Sequence, residues 1–312
     1  MAEAYENISL NITKPYTVCE SFLGNITVWN FAVYLFINVI AVTENLLLLF
    51  AVYKDPLKCL RNSSTYFIVN AAIADVLSIL YFTGELLVSQ TEYKTARCFP
   101  EPWFTINLAY GHLAYFLSFP SATVLALERY LSIAHPLLHQ VKVTFCVVCT
   151  CVTLVWLVCF IPAAVSAAFV HDLFVYIGVF STFPLTFYLT TIVLYFLAFI
   201  SIRRQRLLLI TDNSKSETVK RMLKLRLKNQ NRFLATVSIV NLNLVLGMLP
   251  LLLAVISDYL ISIQLISVNT KEQLLYFFCI SYFASLAINP FLYIWRLAKY
   301  RKTFLVLYFK KA

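Results

Sequence analysis

Charge is scarce in this chain: 13% of its 312 residues are Asp, Glu, Lys or Arg, while 61% are hydrophobic. Soluble domains carry about 25% charged residues, so a water-soluble protein is excluded and an integral membrane protein is implied. Histidine is scarce too, and His112, His135, His139 and His171 are scattered along the sequence. They assemble no metal or nucleophile cluster, which argues against an intramembrane enzyme. Internal repeats are missing, whereas a membrane transporter, the remote alternative, shows repeated halves and broken helices. Met1–Leu10 lacks an apolar core, so no cleavable signal is visible and the first apolar stretch is expected to direct insertion.

What the chain has is seven apolar stretches, near Trp29–Tyr53, Thr65–Ser89, Trp103–Ile133, Val143–Ala168, Leu173–Ile202, Phe233–Ile263 and Leu274–Trp295. About 20 residues cross a hydrocarbon core of ~30 Å. Such runs must be helices, because a helix satisfies its own backbone groups where water is absent. The expected fold is an all-α membrane protein, a seven-transmembrane helix bundle over 29–295. It is preceded by an extracellular tail over 1–28 and followed by a cytoplasmic amphipathic helix and tail over 296–312. Of 25 basic residues, only Lys14, Lys94, Arg97 and Lys271 fall on the side of the N-terminus. The positive-inside bias therefore predicts a multi-pass protein with its N-terminus outside and its C-terminus in the cytosol. The net charge of +10 is topological, split among short membrane-flanking loops, and nucleic acid is not an expected partner.

Three glycosylation sequons, at Asn7, Asn11 and Asn25, cluster on the outer tail, where Glu3, Glu6 and Glu20 outnumber Lys14. A fourth, Asn62-Ser63-Ser64, lies on the inner side and is expected to stay unmodified. Of eight cysteines, Cys146, Cys149, Cys151, Cys159 and Cys279 lie in spans and read as small packing residues. Cys19 and Cys98 are the two placed outside, where oxidation is allowed, so a bridge between them is expected; two free thiols are the alternative.

Ionisable side chains inside a bilayer cost about 2.5–3.5 kcal/mol even on the insertion scale, so each needs a partner or a purpose. Here they are Glu44, Asp75, Glu85, His112, Glu128, Arg129 and Asp258. Glu128-Arg129-Tyr130, at the inner end of the third span, places an arginine beside an acid at the membrane boundary and reads as a switch. Asp75, with Asn45 and Asn289, would form a small hydrated polar cluster that suits a sodium ion; a purely structural cluster is the alternative. Pro162, Pro184, Pro250 and Pro290 each remove a helical hydrogen bond, and kinks at Pro250 and Pro290 would let inner helix halves swing.

In this order the residues resemble the rhodopsin-like (class A) G-protein-coupled receptors. The matching pieces are Asn45, Asn70-Ala71-Ala72-Ile73-Ala74-Asp75, Glu128-Arg129-Tyr130, Pro136, Trp156, Pro184, Pro250 and Asn289-Pro290-Phe291-Leu292-Tyr293. The resemblance implies a receptor, not an enzyme, that binds an extracellular ligand within the bundle and activates a heterotrimeric G-protein at the plasma membrane. It implies that Glu128 holds Arg129 at rest, that Tyr293 swings inward beside Arg129 on activation, and that Asp75, Ser118, Ser285 and Asn289 form the family's sodium pocket. No other cofactor is expected.

The departures from the family pattern matter as much. Cys-Trp-x-Pro reads Gly247-Met248-Leu249-Pro250, so triggering is expected to pass through Met248 and the Phe119–Leu244 pair. Lys228-Asn229-Gln230-Asn231 lacks the acid that pairs with the arginine, which predicts ligand-free signalling. Phe104 replaces the helix-three cysteine, as in the melanocortin, cannabinoid and lysolipid neighbourhood. Gly111 stands where an amine receptor has aspartate, and Phe283 where an opsin has lysine. The remaining ligand contacts are Glu85, Asn107, His112, Tyr115, Met248, Asp258 and Tyr282 (with Tyr276), and their carboxylates favour a peptide or small cationic ligand. A lipid ligand is the alternative. The ten basic residues of Arg203–Arg232 would meet a G-protein and membrane lipid. Thr303 is the tail's lone serine or threonine, so arrestin recruitment is expected to be weak unless Thr211, Ser214, Ser216 or Thr218 substitute.

Overall fold

A computed structural model describes residues 28–92, 103–169, 172–211, 216–262 and 268–309. Among them lie α1 (Val28–Lys54), α2 (Ser63–Glu92), α3 (Trp103–Ala134), α4 (Pro136–Lys142), α5 (Phe145–Ala168), α6 (Leu173–Thr211), α7 (Glu217–Ser262), α8 (Val268–Arg296) and α9 (Ala298–Phe309). No strand occurs among the described residues. The seven long helices α1, α2, α3, α5, α6, α7 and α8 are the expected bundle. Asn7, Asn11, Cys19, Asn25 and Cys98 lie outside the described residues.

Apolar content follows exposure in the sense expected when the solvent is lipid. Four helices combine the length and mean hydropathy of a membrane span, and in α5, with mean hydropathy 2.5, only 17% of the span is buried, against 1.7 and 44% in α2. Helices with more lipid contact carry more apolar side chains. The core helix α3 is the opposite case: Gly111 to Ser121 is buried except at Leu113, so it accommodates His112, Ser118 and Ser121. It packs against α2, α4, α5, α6 and α7, while α1 closes the ring against α2 and α8.

Polar side chains fix the register of this packing. Asn70 of α2 donates to Ser121 Oγ at 2.8 Å and accepts from Trp156 Nε1 at 3.0 Å, tying α2, α3 and α5. Asn45 donates to the Leu286 carbonyl, Asn38 to Thr83 and Asn241 to Tyr195, the last at 2.7 Å between α7 and α6. Such bonds average about 0.6 kcal/mol in membranes, so they select one arrangement more than they stabilise it. Asn62 caps α2 by accepting from Thr65 N at 3.1 Å, which gives the inner sequon a helix-capping role. Pro120, inside α3, is a kink position in addition to the expected ones.

One expectation needs correction. Cys159 and Cys279 are buried, but Cys146 and Cys149 are exposed on α5 and do not pack. The apolar spacing of Val219–Leu227 has a helical rhythm that points to an extension of the sixth span, and α7 does start at Glu217, well before the apolar stretch begins at Phe233, while α6 runs to Thr211. The tail helix α9 is tied down by Tyr300 to Thr65 at 2.8 Å and by Tyr308 to the Leu47 carbonyl at 2.9 Å. Thr303 is 0% exposed and faces Cys59 Sγ at 3.5 Å.

Candidate functional site

At one end of the bundle, Glu128 and Arg129 sit in a network drawn from four helices. Arg129 Nε donates to Glu128 Oε2 at 2.5 Å, and its Nη2 donates to Glu128 Oε1 and to Ser64 Oγ of α2. Glu128, 3% exposed, also accepts from Ser63 at 2.7 Å and from Ser64, and pairs with His139 Nε2 of α4 at 2.9 Å. The face of the guanidinium lies 4.3 Å from the ring centroid of Phe233 on α7. Gln230, where an acid is missing, donates instead to the Ser132 carbonyl at the end of α3. Tyr130 is half-buried with its ring edge-on to His135 at 6.1 Å. The sequence pointed to Glu128 as the partner; Ser63, Ser64, His139 and Phe233 carry no motif. Phe233 lies one helical turn after Gln230, and that spacing is the one signal that could have found it.

Deeper in the bundle is a partly open cavity of about 30 Å³ whose wall is mostly apolar, from residues such as Leu48, Ile68 and Val237, with Asn45, Asp75, Ser118, Ser121, Asn289 and Tyr293 supplying its polar side. Asp75 Oδ2 accepts from Asn289 Nδ2 at 3.2 Å. Ser118 Oγ and Asn289 Oδ1 are buried without a hydrogen-bond partner. One carboxylate, two unsatisfied oxygens and room for about one water-sized particle fit a single hard cation. Ser285 is not among the residues that line the cavity, and its hydroxyl donates to the Tyr282 carbonyl at 2.7 Å, three residues back on α8. Among the described residues no group of three His, Cys, Asp or Glu could hold a metal, which leaves the one-carboxylate cavity.

Toward the other end, Asn107 of α3 donates to Glu85 of α2. His112 Nδ1 meets Ser166 Oγ of α5 at 2.8 Å and its ring stands edge-on to Phe180 at 4.7 Å. Tyr115 stacks on Phe180 at 5.4 Å and meets Tyr282 at 6.2 Å. His112, Tyr115 and Tyr282 are 6%, 5% and 0% exposed, so they close on one another as a packed layer. Asp75, Arg129 and these aromatics thus occupy three successive levels of one bundle.

Residues 44–293 match the family model described as 7 transmembrane receptor (rhodopsin family). The chain belongs to the rhodopsin family of seven-transmembrane receptors. No curated protein matches it. As a family member the receptor is a multi-pass membrane signalling protein and not an enzyme.

The departures of this receptor have structural counterparts. A Cβ on Gly111 would fall inside the Tyr81 ring, which is itself bounded by Phe82 at 5.2 Å and Tyr110 at 5.7 Å. The place of an amine receptor's aspartate is therefore filled by an aromatic ring. Phe283 is buried in the aromatic layer against Phe82 at 5.5 Å. Tyr195 is buried at the Arg129 end, bonded to Asn241. Leu244, Met248, Pro250 and Asp258 belong to α7, and their side chains lie outside the described ones.

Proposed function

We propose that this receptor binds an extracellular ligand within the bundle and activates a heterotrimeric G-protein by releasing Arg129. The supporting observation is the network itself. Groups from α2, α3 and α7 hold one guanidinium, so a swing of α7 removes the Phe233 face and frees the arginine for a G-protein helix. Asn289, Pro290 and Tyr293 of α8 border the cavity above it, and their rearrangement, with bending at Pro250, is the route by which ligand binding reaches Arg129. In this reading the N-terminus is outside, carries glycans at Asn7, Asn11 and Asn25, and is bridged through Cys19 and Cys98.

The ligand is a peptide or small cationic molecule. Glu85, half-buried and shared with Asn107, supplies the anionic contact, the packed layer of His112, Tyr115 and Tyr282 is the floor beneath the ligand, and Met248 and Asp258 are the further contacts proposed. The Asp75 cavity holds sodium through Asp75, Ser118 and Asn289. Arrestin recruitment is weak, since Thr303 is buried against Cys59 and unavailable to a kinase. The test is nucleotide exchange on purified heterotrimeric G-protein by membranes at matched receptor density. Arg129→Ala should abolish ligand-free exchange, and exchange equal to wild type in that variant refutes the proposal.

A further inference from the structure

At the Arg129 end, but on the outside of the bundle, Arg232 of α7, Trp295 and Arg296 of α8 and Arg301 of α9 surround an open recess of about 310 Å³. None of the three arginines makes an ion pair with a described carboxylate. Like charges converging without an acid repel one another, so the arrangement is best satisfied by an anion from outside. Guanidinium forks match phosphate oxygens in geometry.

The surroundings indicate the source of that phosphate. Trp295, 58% exposed, stacks on Phe291, 55% exposed, with centroids 6.2 Å apart, and Arg296 lies 5.9 Å from the Trp295 ring. An exposed tryptophan at the end of a span marks the membrane interface. Arg301 lies on α9, where Tyr308 is bonded to α1 and Lys299, Arg301 and Lys302 are exposed. The recess therefore sits at headgroup depth, with an apolar strip of Phe291 and Trp295 leading from it toward the acyl layer.

We infer that Arg232, Arg296, Arg301 and Trp295 form a binding site for a phosphomonoester-bearing phospholipid headgroup, with an acyl chain lying along Phe291. The site does not rest on the release of Arg129 proposed above, although Arg232 also belongs to the basic segment expected to meet a G-protein and membrane lipid. Occupancy would tie α7 to α8 and α9 by bridging arginines of all three helices.

The experiment uses the full-length receptor in nanodiscs of phosphatidylcholine containing phosphatidylinositol bisphosphate, with bound lipid counted by native mass spectrometry. An arginine near an anionic surface is worth about fivefold in binding, so Arg301→Gln should weaken it about fivefold and the triple Arg232→Gln, Arg296→Gln, Arg301→Gln variant about a hundredfold. The triple Lys54→Gln, Lys58→Gln, Arg61→Gln variant around the end of α1, where all three are exposed, removes equal charge and should change it less than twofold. A loss as large in that control variant would overturn the site in favour of diffuse attraction. Equal binding of phosphatidylserine at matched total charge would overturn the phosphomonoester preference. Soluble inositol trisphosphate should compete only at concentrations well above those of the lipid; equal potency would overturn the membrane source. Trp295→Ala should weaken lipid binding severalfold and leave inositol trisphosphate binding unchanged, and a parallel loss of both would place the tryptophan with the headgroup instead.

Discussion

Replacing Phe233 by leucine separates the aromatic restraint on Arg129 from ordinary packing. The guanidinium is 14% exposed and lies 4.3 Å from the Phe233 centroid, so the contact is largely desolvated. A cation–π contact of that kind contributes about 1–2 kcal/mol. The swing of α7 proposed for activation breaks it, so its removal acts on the resting state alone. Phe233 also packs against the buried cluster that holds Leu234 and Tyr293. Leucine keeps most of that apolar contact, and the remaining loss is shared by both states. A bias of 1–2 kcal/mol changes a two-state ratio about five- to thirtyfold, so an active population near 1% would rise to roughly 5–25%. The assay is ligand-free G-protein dissociation by resonance energy transfer, normalised to surface receptor. Phe233→Trp, whose ring holds a cation more strongly, should match or fall below wild type, and Phe233→Leu with Arg129→Ala should be silent. Equal basal signal in the leucine and tryptophan variants would show that Phe233 acts through bulk and refute the cation–π argument.

Three further outcomes follow from the same geometry. Gln230→Glu, one turn from Phe233, adds the carboxylate missing from this segment and should lower ligand-free signalling severalfold; an unchanged basal signal would place residue 230 out of reach of Arg129. Gly111→Ala puts a methyl group into the Tyr81 ring and should lower the melting temperature of purified receptor by several degrees, an overpacking cost of about 1–3 kcal/mol. Adding Tyr81→Ala should relieve that clash, and a double variant no better than the sum of its parts would mean that the methyl group is absorbed elsewhere. Exchanging sodium for N-methylglucamine at constant ionic strength should raise wild-type basal signalling, while Asp75→Asn should flatten this response; a sodium effect that survives in the variant would move the cation away from the Asp75 cavity.

Much of this receptor was legible in its sequence because lipid is an undemanding solvent for pattern. Apolar runs of sufficient length must be helices, and rare polar residues such as Asn70, Asp75 and Asn289 must face inward to find partners. Asn70 does so with Ser121 and Trp156, and Asp75 with Asn289. Ser285 was expected in the cavity and is not among the residues that line it. A serine in a helix has a second option, bonding to a carbonyl in its own preceding turn, and Ser285 takes it. The exposure of Cys146 and Cys149 was hidden likewise, since a small apolar residue suits lipid as well as protein.

The restraint on Arg129 was illegible for a different reason, and this bears on how the receptor is switched. A missing acid in Lys228–Asn231 reads as a missing lock because sequence patterns record charge pairs and not ring faces. Phe233 supplies a cross-helix partner without a complementary charge, while Ser63, Ser64 and His139 hold the other side through Glu128. The two kinds of partner differ in how they let go. An ion pair pulled apart in a partly hydrated crevice still attracts over several ångströms, whereas a cation–π contact needs the ring face within about 6 Å. A lock made of Phe233 therefore releases over a shorter displacement of α7 than one made of glutamate. Gln230→Glu should then lower basal signalling and also demand a larger helix movement, seen as a right-shifted agonist response, before Arg129 is released.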